Sequence, residues 1–151
     1  MTMGVLYDYF RAPGPAEVRR HLDENEGSSP AEVFESVDLK MIDPGVALSQ
    51  VLEFATGRKA PGRERLIWPV GVADDPDYLG PWVTVLADEA RDILAAIPAG
   101  RVSELAERWT GIEEFSGFLD AEFLSGVLTD LTALAIRARE QGESLYCWCC
   151  L

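Results

Sequence analysis

The spacing of apolar positions along the chain switches between the two-residue period of a strand and the 3.6-residue period of a helix. Residues 4–10 alternate, with Val5, Tyr7 and Tyr9 on one face and Leu6, Asp8 and Phe10 on the other, and this predicts a strand. Residues 11–14 contain Pro13 and Gly14 and predict a turn. Pro15 at the first helical position and Glu17 in the first turn predict a helix to about residue 23. At Ser29-Pro30-Ala31-Glu32 the serine is placed to cap the third helical amide and the glutamate to reach back to the serine amide, so a second helix is expected to start there. Pro-Ala-Glu-Val occurs at both 15–18 and 30–33, a shared capping solution and too little for a repeat array.

After Asp43 a third helical pattern carries Leu48, Val51, Leu52 and Ala55 on one face, and Gly57 supplies the stop. Residues 58–65 read as a loop, 66–72 as a strand interrupted by Pro69, and 73–81 as a polar loop that turns at Gly80-Pro81. Residues 82–86 read as a strand running into Asp88, which is placed to cap a helix with Ala90, Ile93, Leu94 and Ile97 on one face. Val102, Leu105, Ala106 and Trp109 repeat that spacing. The longest helix opens near Asp120, carries Leu124, Val127, Leu128, Leu131, Ala135 and Ala138, and stops at Gly142. Residues 144–151 form a last strand, apolar on both faces. Strands at both termini around a helical middle predict a single α+β domain over residues 1–151. Its small sheet includes the N- and C-terminal strands, the last in the interior beside the first, and five to six helices accompany it.

With 151 residues, 48% apolar and 26% charged, the chain is long enough to build a core without disulfides or metals, and disorder is excluded. Charge changes the picture more. Twenty-six acids against thirteen bases leave a net of −13, a field that repels phosphate backbones and anionic lipid headgroups, so neither nucleic acid nor a membrane surface is an expected partner. The excess is uneven: Arg58, Lys59, Arg63 and Arg65 surround the one acid Glu64, a local +3 that leaves −16 on the other 143 residues. Apolar runs fall far short of the ~20 residues of a membrane span. The first ten residues hold Asp8 and two tyrosines where a signal peptide needs a basic start and an apolar stretch. Gly4 is not the second residue, Asp8 and Trp148 stand where lipid-anchor motifs need other residues, and a cytoplasmic location is expected.

Candidate chemistry is sparse. A G-x-S-x-G elbow, a Walker loop, a G-x-G-x-x-G fingerprint and H-E-x-x-H are all absent, and no catalytic residue and no cofactor is assigned. Cys147, Cys149 and Cys150 crowd the last strand. Cys147 and Cys149 share a face and offer two thiolates to a soft metal, but the expected use is as small buried apolar residues, and no metal site is assigned. Asp74, Asp75 and Asp77 lack EF-hand spacing and read as a solvated acidic loop. His21, the one histidine, falls on a short charged helix and reads as exposed. Asp8 lies between Leu6 and Phe10, where burial raises the pKa of a carboxyl that finds no donor, and a backbone-satisfied or half-wet position is the expected outcome. The 58–65 loop suits a carboxylate or phosphate gripped by guanidiniums, or an intramolecular contact with the acidic body. Trp68 and Trp82 sit near loops, and as an exposed pair beside the basic loop they would form an interface anchor.

Met3-Gly4 opening a strand with Tyr7, Asp38-Leu39-Lys40 leading into a helix that ends at Ala55-Thr56-Gly57, and a long last helix followed by Gly142 and a terminal strand resemble the YfbM-like family of small bacterial proteins of unknown function. The family's Asp-Lys-x-Trp stretch is not matched, since Met41 and Ile42 follow Lys40, and no histidine stands just ahead of Gly57. The resemblance implies an α+β fold and brings no catalytic residue. The expected function is a non-enzymatic protein-binding or regulatory module whose acidic surface meets a partner with a basic one, a toxin-neutralising immunity protein being one form. The alternative is a small-molecule-binding protein or small enzyme with an anionic ligand at Arg58, Lys59, Arg63 and Arg65, near Asp8, Trp68 and Trp82.

Overall fold

The computed structural model describes residues 6–62, 64–72 and 74–150. Five strands form one antiparallel sheet: β1 (Leu6–Ala12), β2 (Ser36–Lys40), β3 (Arg65–Trp68), β4 (Trp82–Val85) and β5 (Ser144–Cys150), in the order β2-β1-β5-β4-β3. The terminal strands thus lie side by side in the interior, with Tyr9 opposite Cys147, Phe10 opposite Tyr146 and Asp8 opposite Trp148. A strand paired on both sides and covered on both faces has to be apolar on both, as β5 is from Leu145 onward.

Residues opposite one another share a face of the sheet. Tyr9, Leu145 and Cys147 pack against α2 (Ala47–Thr56), α3 (Asp88–Ala95), α4 (Val102–Thr110) and α5 (Ala121–Glu140), which form the larger core. The spine of that core is α5, where Leu124, Leu128, Leu131, Leu134, Ala135 and Ala138 are fully buried. Two buried donors fix this side of the molecule: Tyr9 Oη of β1 donates to the Ile42 carbonyl at 2.6 Å, and Trp109 Nε1 of α4 to the Ala47 carbonyl of α2 at 2.9 Å. On the opposite face α1 (Pro15–Glu24) covers the sheet together with Phe34, with Val18 and Leu22 against Phe10, Ile67, Val83, Tyr146 and Trp148. Phe10 stacks between Phe34 and Tyr146, with ring centroids 5.7 and 5.4 Å away. Trp148 Nε1 donates to the Gly27 carbonyl at 2.9 Å. Gly27 needs its lack of a side chain, since its φ is +79° and a Cβ there would lie 2.8 Å from the Trp68 ring.

The structure departs from local expectation in four places. The strand expected over residues 66–72 is β3, Arg65–Trp68, which takes Arg65 from the expected loop and ends before Pro69. Arg11 and Ala12 continue β1, because Leu145 and Ser144 remain to be paired. The helix expected from Ser29 is a single 3-10 turn, Pro30–Glu32. Ser29 Oγ caps the Ala31 amide at 3.3 Å and spends its own proton on Asp8, while the chain beyond is drawn into β2. Asp38, Leu39 and Lys40 belong to that strand, and the next helix, α2, ends at Thr56 ahead of Gly57 as expected. Asp88 is the first residue of α3, not its cap, and accepts from Ser144 Oγ at 2.7 Å. The other helical readings hold: Asp43 accepts from the amides of Val46 and Ala47 ahead of α2, Gly57 ends α2 in the left-handed conformation, and Asp120 caps α5. Among the described residues no helix is long and apolar enough to cross a membrane.

Candidate functional site

The most unusual polar arrangement lies where β1 meets β2. The Arg11 amide donates to the Glu35 carbonyl at 3.2 Å, and from there an antiparallel ladder alternates. Tyr9–Val37 and Tyr7–Leu39 then become hydrogen-bonded pairs, and Asp8–Asp38 a pair without backbone bonds, the kind whose side chains approach most closely. Two carboxyl groups face each other across the strands. Asp8 is 9% exposed and Asp38 is exposed. Burial raises the Asp8 carboxyl above its ordinary range. The Ser29 hydroxyl, donating to Asp8 Oδ2 at 2.5 Å, works against that rise, and the charge of Asp38 and a hydrogen bond to it add to it. Thus the buried carboxyl of the sequence reading finds a hydroxyl donor and an acidic neighbour, not a backbone amide.

This pair opens into a cleft of about 670 Å³ that Leu6, Ser28, Glu32 and Lys40 also line. On the other side of β2 a groove of about 580 Å³ runs along α5, between Val37 and Leu39 of the strand and Phe123, Gly126, Val127 and Asp130 of the helix. Asp38 lines both. At the start of β2, Glu35 accepts from Arg11 Nε and Arg137 Nε, each at 2.7 Å, and Arg11 also pairs with Glu143. Arg137, and then Arg11, holds the Glu35 carboxyl below its ordinary range, although partial burial opposes this. Of the two sheet edges, β3 is short, carries a bulge between Leu66 and Trp68, and runs into a proline. Those features protect an edge. By contrast β2 is regular, and by the same alternation the backbone groups of Ser36, Asp38 and Lys40 point away from β1.

The structure does not gather the residues singled out from sequence. Asp8 faces the α1 side of the sheet, whereas Arg58 and Lys59 lie at the end of α2 in the opposite layer. Arg65 is exposed on β3 at the far edge, and Arg63 lies outside the described residues. Trp68 and Trp82 are half-buried on opposite faces: Trp68 pairs with Val83 and donates to Asp23 Oδ1 at 3.0 Å, and Trp82 pairs with Cys149 and meets Tyr78 edge-on at 5.6 Å. They form no exposed pair. Arg58, Lys59 and Arg108 surround a hollow of about 430 Å³, where Arg108 sits 4.2 Å above the Phe54 ring, and outside it Arg101 donates to the Ala55 carbonyl at 2.8 Å. These cations stand at the carbonyl end of α2, where positive charge complements the helix dipole.

Burial pushes up the thiol of Cys147, and that of Cys149 less deeply, against a hydrogen bond to Tyr7. Among the described residues no group of three metal-ligating side chains forms. His21 is half-buried edge-on to Phe34, its centroid 6.1 Å away. Sequence reasoning did not find Asp38 as the partner of Asp8. The strict alternation of Ser36-Val37-Asp38-Leu39-Lys40 was the available signal. Compared with protein-family models, curated proteins and solved structures, the chain matches none.

Proposed function

We propose that the protein is a binding module that recognises a partner protein carrying a basic surface, through the acidic edge around β2. One observation carries this reading: β2 is a regular edge strand among the described residues, and its Asp38 faces Asp8 of β1 between two clefts. A cation from a partner supplies the charge that the Asp8–Asp38 pair lacks, and the surrounding acid excess steers such a partner inward. An immunity-type protein that covers a basic active site is one concrete form. The alternative, an anion at Arg58, Lys59 and Arg108, has the hollow there in its favour and the α2 carbonyl end against it.

Affinity capture from a cell lysate tests the reading with native protein and Asp38→Lys side by side. A basic protein held by the native chain, lost with Asp38→Lys and released at about 1 M salt, where the screening length falls to about 3 Å, supports it. Identical captured sets for both proteins would overturn it.

A further inference from the structure

We infer that the partner contributes an extended segment that adds to the sheet as a sixth strand beside β2, with a lysine or arginine opposite Asp38 and apolar residues on either side of it. This rests on the reading of the acidic edge as the partner-binding surface, and adds how the partner is held.

Three features of the edge lead there. The first is the row of outward N–H and C=O groups at Ser36, Asp38 and Lys40, the template for a further antiparallel or parallel neighbour. The second is the alternation of side chains in any strand that pairs there. A residue opposite Asp38 projects to the face of Asp8 and Asp38, into the 670 Å³ cleft. Its two neighbours project to the other face, into the groove where Val37, Phe123 and Val127 offer apolar surface and Gly126 leaves open space above α5. The recognised pattern is therefore apolar-basic-apolar. The third feature is charge, which selects the occupant. A second copy of this chain pairing antiparallel about Asp38 would bring four carboxyl groups together, and like charges directly opposite one another oppose pairing. A basic strand places a counter-charge at the same point.

The probe is an acetylated octapeptide alternating valine and lysine, titrated against the full chain and followed through the backbone amide resonances of β2. Two controls isolate the mode: the same residues in two blocks, and the alternating peptide N-methylated at every second residue, which keeps its charge but loses the ladder donors. The alternating peptide is expected to shift Ser36, Asp38 and Lys40 and to slow their amide exchange. N-methylation and blocking should each weaken it by roughly tenfold, the scale of losing hydrogen bonds to a desolvated edge. Ser36→Pro, which removes one outward N–H without touching an acid, should weaken it to a similar degree, and thermal unfolding reports whether that variant remains folded.

If all three peptides bind alike and all lose binding in Asp38→Lys, strand addition is overturned while the acidic edge stands as the binding surface. If Asp38→Lys binds the alternating peptide as well as the native chain does, the reading beneath it fails too. Salt-sensitive dimers of the native chain that Ser36→Pro abolishes would make a second copy the occupant and overturn the proposal.

Discussion

The carboxyl groups of Asp8 and Glu35 are shifted in opposite directions from their ordinary values, for reasons visible around each side chain. Asp8 is held above its ordinary value of 3.8, chiefly by burial, so the folded chain binds this proton more tightly than the unfolded one. Its contribution to stability is complete below the unfolded value and is lost as pH rises through the folded one. Glu35 is held below its ordinary 4.5 by Arg137 and Arg11, so its contribution is present above that value and is lost as pH falls. Urea unfolding across about pH 4 to 7 is expected to show native protein losing stability relative to Asp8→Asn as pH rises, because the amide keeps an acceptor for Ser29 and carries no charge. At pH 7 Asp8→Asn is expected to be at least as stable as the native chain. Parallel profiles for the two proteins would remove buried charge as the cause.

Among the elements, α5 and β2 show opposite relations between local pattern and outcome. Six buried positions at helical spacing, an aspartate cap and Gly142 after its end made α5 legible from the chain alone. Within it Gly126 is exposed, with open space where a Cβ would stand. Gly126→Ala should therefore stabilise the protein by about 1 kcal/mol in chemical denaturation, by helix propensity without any clash. An unchanged or lower midpoint would mean the glycine serves a close approach that the open groove does not show. At β2, the capping box at Ser29 promised a helix that does not form. The serine hydroxyl is taken by Asp8, Phe34 is taken by Phe10, and the chain beyond pairs with β1 through the backbone of Glu35, Val37 and Leu39. A local signal worth about 1 kcal/mol yields to a whole ladder of hydrogen bonds.

Across the whole molecule, the net of −13 is an acidic body in which four of the thirteen cations, Arg58, Lys59, Arg101 and Arg108, collect at the end of α2. Self-repulsion of the excess acid is expected to make salt stabilising: raising ionic strength from about 0.01 to 0.15 M shortens the screening length from ~30 to ~8 Å and should raise the melting temperature. The same salt should weaken capture of a basic partner, and a melting temperature that falls as salt rises would mean attractive ion pairs such as Arg137–Glu35 dominate. The sequence by itself determined the helices α1, α2 and α5, an interior last strand apolar on both faces, the α+β class and the sign of the surface charge. These follow from periodicity, caps and composition, which act over a few residues or over the chain as a sum. Only the tertiary structure decided that Asp8 meets Asp38, that Trp68 and Trp82 face opposite sides, and that β2 is left as the regular open edge. Each depends on strand order and register between segments far apart in the chain, where a shift of one residue would turn every side chain to the other face.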